Sequence, residues 1–172
     1  MIEKSTNERI LGIFFDNPSK EFHLRELSRL SKLSLPTVIS ATETLSREKL
    51  VIKTKGKVLT KIVGNRENIA FVRYKRVYNL ERLYTSGIVD YLSSAYNNPR
   101  LIIMFGSYSR GEDIEGSDID IAIITNKKLN IDFSEYEKIL KRGVSIHEIA
   151  LEKISNEFRS NLANGIVMEG SW

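Results

Sequence analysis

An α+β fold in two parts is what this sequence predicts, and three observations carry the prediction. Residues up to about 65 read as three short helices and a lysine-rich hairpin. After Asn97-Asn98-Pro99 the pattern changes to continuous apolar runs alternating with short helices. The charge changes along the chain as well. Residues 1–95 hold 17 Lys+Arg and 10 Asp+Glu, a balance of +7, while residues 96–172 hold 9 and 12, a balance of −3. A basic half joined to an acidic half suggests two domains with different partners.

The elements follow in order. Ser5-Thr6-Asn7-Glu8 matches a capping box, and Ile10, Leu11, Ile13 and Phe14 continue it as an apolar stripe. Asp16-Asn17-Pro18-Ser19 ends that first helix. Leu24, Leu27 and Leu30 mark a short second helix, and Ser31-Lys32-Leu33-Ser34 a turn. Ser34 caps a third helix that tolerates Pro36 in its first turn and runs to about Lys49. Val51 to Thr54 and Val58 to Val63 are β-prone runs, joined at a tip of Lys55, Gly56 and Lys57. Residues 66–98 are mixed and read as one or two connecting helices. Leu101 to Phe105 and Ile119 to Ile124 have the apolar character of buried strands, and Val144 to Leu151 is a third such run, broken by Ser145, His147 and Glu148. Ser134 to Leu140 and Ser155 to Ala163 read as helices. The resulting organisation is 1–65, 66–98 and 99–172.

Composition bounds the function. With 172 residues, 41% of them hydrophobic, the chain can bury a core. No run of eighteen apolar residues is present, so no membrane span is expected. Met1 to Lys4 leads into no apolar export segment. The chain has no cysteine, which excludes disulfides and thiolate zinc sites and fits a reducing cytoplasm.

On the third helix Leu35, Val38, Thr42 and Leu45 are expected to face inward. Thr37, Ser40, Thr44 and Arg47 then form a small polar face that can enter a major groove. Lys53, Lys55, Lys57 and Lys61 arm the hairpin for phosphates. Over residues 5–65 this pattern resembles the winged helix-turn-helix modules of prokaryotic transcriptional regulators. The resemblance implies binding to duplex DNA, commonly as a homodimer. A helical module with a solvated polar face, serving protein interaction, is the other reading.

In the second half, the strand ending at Phe105 runs straight into Gly106-Ser107. A glycine there lets the backbone approach a phosphate closely. The Ser107 hydroxyl and the Arg110 charge can add to that contact. Asp118 and Asp120 lie one residue apart in an apolar strand, which sets both carboxylates on one face with Cα atoms roughly 6–7 Å apart. At about 5 Å two carboxylates repel by roughly 3 kcal/mol at an effective dielectric of 20. A hard cation with oxygen ligands relieves that, and Mg²⁺ fits. An isolated Asp-x-Asp would more simply be a turn cap and an ion pair. The Gly-Ser element upstream favours the metal.

The stretch from Phe105 to Asp120 resembles the signature of the polymerase-β-type nucleotidyltransferase superfamily, in particular its minimal members. The hydrophobic residue, Gly-Ser, ten-residue spacer Tyr108 to Ser117 and Asp-Ile-Asp all agree, as do Arg110-Gly111 and Ser117. The resemblance covers residues 99–170. The joined N-terminal module is similar to an archaeal and bacterial group that fuses a winged helix to this domain. It implies a mixed sheet flanked by helices and ATP or another nucleoside triphosphate at Gly106, Ser107 and Arg110. It also implies Mg²⁺ or Mn²⁺ at Asp118 and Asp120, with an acceptor hydroxyl attacking the α-phosphate.

Enzymes of that family usually carry a third carboxylate on a later strand. Here the matching strand is Val144-Ser145-Ile146-His147-Glu148-Ile149. With Val144 and Ile146 facing the core, Ser145 and His147 face the site and Glu148 points away. His147 is therefore the candidate third catalytic residue, ahead of Glu148, since histidine can act as a general base near neutral pH. Three functions fit: a nucleotidyltransferase enzyme, a DNA-binding regulator whose second domain senses nucleotide without catalysis, and an antitoxin-like protein that modifies a small helical toxin-like partner.

Overall fold

A computed structural model describes residues 4–56, 59–150 and 155–171. The expected strand start at Val58, the tip residue Lys57 and the expected strand end at Leu151 lie outside the described residues. The chain divides into two compact units, Met1–Lys75 and Arg76–Trp172.

The first unit holds α1 (Thr6–Asp16), α2 (Leu24–Ser31), α3 (Leu35–Arg47), β1 (Val51–Lys55) and β2 (Thr60–Gly64). The capping box forms as the sequence requires. The Glu8 N–H donates to the Ser5 hydroxyl at 3.3 Å, and the Ser5 N–H donates to the Glu8 carboxylate at 2.8 Å. β1 and β2 pair antiparallel from Val51↔Gly64 to Lys55↔Thr60. Phe22 adds a further rung that the sequence reading lacks. Its N–H and C=O both bond to Ile62, each at 2.8 Å. Ile10, Phe14, Phe22, Leu27, Val38, Leu45 and Ile62 are buried at the centre, with the Phe14 and Phe22 rings edge to face.

The α2 leucines mark the helix that forms, but they do not share one buried line. Leu30 is 48% exposed and only Leu27 of the α2 leucines is fully buried. A three-residue repeat drifts by about 60° per step on a helix of 3.6 residues per turn, so three leucines cannot share one buried line. One expectation for α3 needs correction: Leu35 is exposed, and Ala41 takes its place beside Val38, Thr42 and Leu45. Leu35 sits in the first turn, at the end of the packed face.

α4 (Ile69–Thr85) runs through the division between the units, and α5 (Ile88–Ala95) follows it in the second. Then come β3 (Leu101–Phe105), α6 (Gly106–Arg110), β4 (Ile119–Ile124), α7 (Ser134–Leu140), β5 (Val144–Ile149), α8 (Asn156–Ala163) and β6 (Ile166–Gly170). The sheet order is β5-β4-β3-β6. β3 is antiparallel to both β4 and β6, while β4 and β5 are parallel, so the sheet is mixed and flanked by helices. β6 has no counterpart in the sequence reading. Only Ile166-Val167-Met168 is apolar in it, and Val167 is 41% exposed on this edge strand.

Alternation explains the two cores. Ile102, Met104, Ile119, Ile121 and Ile123 face one side, against Leu83, Ile88, Leu92 and Leu140 of the helices. Leu101, Ile103, Phe105, Ala122 and Ile124 face the other, against Leu162 of α8. β3 and β4 are buried on both faces, which is why they read as unbroken apolar runs. Among the described residues no helix is long and apolar enough to cross a membrane.

The first face also carries a polar pair, with Tyr96 buried and Glu148 half-buried. The Tyr96 hydroxyl donates to Glu148 at 2.6 Å. Burial, and then the accepting carboxylate, hold this phenol well above the usual tyrosine range. A pKa raised by folding contributes stability that is complete below the unfolded value, about pH 10, and is lost as pH rises beyond it. Melting temperature is therefore expected to fall above about pH 10. Tyr96→Phe should flatten that fall and destabilise by about 1–2 kcal/mol at pH 7. Calorimetry across pH 7–11 checks both, and an unchanged alkaline slope in the variant would count against the assignment.

Candidate active site

The site grows out of the end of β3. Phe105 pairs with Asp120 across the antiparallel ladder. Gly106 then turns the chain with φ +73°, a conformation that side chains disfavour. α6 begins on that glycine, so the N–H groups of Gly106 and Ser107 lie in its first turn, where a helix offers no internal partner. A Cβ on Gly106 would lie 2.3 Å from Asp120 Oδ2. The glycine thus serves twice, as the turn and as the space in which the carboxylate rests.

Asp118 lies just before β4, whose first residue is Ile119, rather than inside an apolar strand as the sequence suggests. Extended pairing still reaches it, because the Ile119 N–H donates to the Gly143 carbonyl at 2.8 Å. Its carboxylate is exposed and rests over Gly143, where a Cβ would lie 2.3 Å from Oδ1. Asp120 is half-buried and opposite Ser145 in the parallel ladder. Its Oδ1 lies 3.5 Å from His147 Nε2, and that nitrogen is 3.3 Å from the Ser145 hydroxyl. The Asp120 carboxylate thus spans from Gly106 on one side to His147 on the other. Phe105 packs edge to face against the imidazole at 5.1 Å, and Phe158 of α8 closes the ring cluster.

A family model for the nucleotidyltransferase domain matches residues 86–171. The chain belongs to this family. No curated protein and no solved structure matches it. The match covers β3, β4 and every side chain just described, and the preceding 85 residues lie outside it.

Within the nucleotidyltransferase domain, the remaining residues read from sequence fall as follows. Arg110 is exposed and its guanidinium pairs with Glu112 at 2.7 Å, a surface contact weak enough to exchange for another anion. Ser117 closes the turn before Asp118, with its hydroxyl accepting the Ile114 N–H. Glu148 lies on the opposite side from His147. One carboxylate oxygen accepts both the Tyr96 hydroxyl and the Leu129 N–H, each at 2.6 Å. Among the described residues no three His, Cys, Asp or Glu side chains converge as a complete metal centre.

A buried polar network that the sequence reading lacks supports the loop ahead of Asp118. Asp113 is 1% exposed. It accepts from Asn79 Nδ2 at 2.7 Å and pairs with Arg142 Nη2 at 3.3 Å. Asn79 also donates to the Tyr108 carbonyl at 2.9 Å. Asp113 lies in the motif's spacer, where a carboxylate reads as loop solvation, and Arg142 and Asn79 come from distant segments. Only the fold brings them together.

In the first unit, Ser40 and Arg47 of α3 are exposed, as is Lys55 of β1. Thr37 and Thr44 are half-buried with their hydroxyls engaged locally, Thr37 with Ser34 at 2.7 Å and Thr44 with the Ser40 carbonyl at 3.2 Å. Lys61 is paired with Glu21, and Lys57 lies outside the described residues. Ile39, Glu43 and Arg47 of α3 line a groove together with Lys53 and Lys55.

Proposed function

We propose that the chain is a metal-dependent nucleotidyltransferase, moving a nucleoside monophosphate from ATP or another nucleoside triphosphate to an acceptor hydroxyl. The observation that carries this is the Asp120 carboxylate, seated over Gly106 and reaching His147, with Asp118 two residues before it. Both carboxylates are open to solvent in part or in full, and all their donor atoms are oxygen. That donor set suits Mg²⁺, which is usually held by one or two carboxylates with substrate phosphates completing its shell. A third protein ligand is not needed for that mode. When bound, the ion supplies positive charge against the triphosphate and the developing transition state.

The chain's own residues do the rest. Gly106 and Ser107 hold phosphate oxygens through backbone N–H groups and the hydroxyl, and Arg110 adds charge. The acceptor oxygen forms a bond to the α-phosphorus while the bond to the bridging oxygen breaks, and pyrophosphate leaves. His147 takes the acceptor's proton. Incubation with α-labelled ATP, Mg²⁺ and cell lysate tests this. Label transferred to a macromolecule or small acceptor is the expected result. Failure of transfer alongside retained ATP binding favours a second reading, a nucleotide sensor. The observation behind that reading is Ser145, which stands opposite Asp120 on the strand where family enzymes usually carry a carboxylate.

The first unit is read as a winged helix-turn-helix that binds duplex DNA. Three helices, a hairpin and the Phe22–Ile62 rung support it. The groove between α3 and the hairpin, with Arg47, Lys53 and Lys55 along it, supports contact with phosphates. Salt-sensitive binding as a homodimer is expected. Arg47→Ala with Lys55→Ala should weaken it about tenfold or more, each lost phosphate contact also flattening the salt dependence. Fluorescence anisotropy on random duplex at several salt concentrations measures this, and unchanged affinity in the double variant argues against the surface.

A further inference from the structure

We infer that Gly143 is a positioning residue, whose missing side chain is the seat that holds the Asp118 carboxylate toward the site. The inference rests on the reading of Asp118 as a metal ligand and adds a residue to it.

Gly143 is not a glycine for conformational reasons. Its φ lies outside the left-handed region, unlike those of Gly106 and Gly111. An alanine could adopt the same backbone. Space is the reason instead. A Cβ at this position meets Asp118 Oδ1 at 2.3 Å, Cγ at 3.2 Å and Cβ at 4.0 Å, and these are its three nearest neighbours. Real Cβ atoms do not approach an oxygen so closely, so one of the two groups must move.

The backbone around Gly143 is held on both sides of the residue. Its carbonyl accepts the Ile119 N–H at 2.8 Å. The next N–H, that of Val144, donates to the Glu137 carboxylate at 2.9 Å. The preceding residue, Arg142, is buried in its ion pair with Asp113. Asp118, in contrast, is exposed and free to rotate into solvent. A methyl group at 143 therefore displaces the carboxylate and leaves the strand in place. Gly106 offers no such clean test, since its φ of +73° would strain any replacement.

The experiment uses the full chain with Mn²⁺ as the probe. Mn²⁺ affinity is measured by calorimetry for wild type, Gly143→Ala, Asp118→Asn and the double variant, with melting temperatures alongside. Gly143→Ala is expected to bind Mn²⁺ at least about tenfold more weakly while melting near the wild-type temperature. In the Asp118→Asn background it should add little, because both changes remove one interaction. Wild-type Mn²⁺ affinity in Gly143→Ala, with loss in Asp118→Asn, overturns the role of Gly143 and leaves the metal reading standing. Equal binding by wild type and Asp118→Asn overturns both. Fully additive losses point to a general structural effect and overturn the positioning role. A crystal structure of Gly143→Ala gives an independent answer: an Asp118 carboxylate in its wild-type place rules the inference out.

Discussion

The double variant Asp118→Asn, Asp120→Asn is expected to keep the fold and to lose Mg²⁺-dependent ATP binding by about 100-fold or more, equivalent to about 2.7 kcal/mol. The fold should survive because neither carboxylate is part of the core. Asp118 is exposed and Asp120 partly so. Asparagine has the same planar shape, so its amide fits over Gly106 and Gly143 as the carboxylate does. Its oxygen can still face His147. Removing two like charges from neighbouring positions relieves their repulsion, which leaves the protein without ligand at least as stable. What changes is the charge offered to a cation. The triphosphate brings its own negative charge, so its affinity depends on the ion that the carboxylates retain. Calorimetry with and without Mg²⁺ decides the point. Equal ATP affinity in wild type and double variant would remove Asp118 and Asp120 from the site. A lower melting temperature in the variant would show instead that the pair supports the fold.

What the sequence made legible was local. Phe105-Gly106-Ser107 and the Asp-Ile-Asp that follows lie on consecutive elements, and strand alternation orders Ser145, His147 and Glu148 without reference to anything distant. The two buried central strands were legible because burial on both faces leaves an unbroken apolar run. Features that depend on distant residues were hidden. Phe22 is one residue in a polar stretch, and only Ile62, forty residues on, makes it a rung of the sheet. β6 has too few apolar residues to announce itself on an edge. Asp113, Arg142 and Asn79 each resemble surface residues until the fold joins them. Gly143 resembles a turn glycine, and its purpose becomes visible only when a Cβ is placed against Asp118.

His147→Ala is expected to lower transfer by about 100-fold, the lower end of what a positioned general base contributes. Glu148→Gln should leave transfer within about twofold of wild type. The two residues are adjacent, but the strand turns them to opposite faces. His147 stands 3.5 Å from Asp120 and beside Ser145. Glu148 is occupied on the far side by the Tyr96 hydroxyl and the Leu129 N–H. Both donors use one oxygen of Glu148, so the single carbonyl of glutamine can still accept them. Alanine at 147 also removes a ring packed against Phe105 and Phe158, which could lower activity by loosening the site. His147→Gln separates the effects, because it keeps a polar side chain of similar length but cannot take up a proton. Loss of transfer in both His147 variants, with Mn²⁺ and ATP affinity retained, supports the base. Recovery in His147→Gln would assign the residue to packing and hydrogen bonding alone. A large loss in Glu148→Gln with an unchanged melting temperature would mean that the acidic residue, and not the histidine, completes the site.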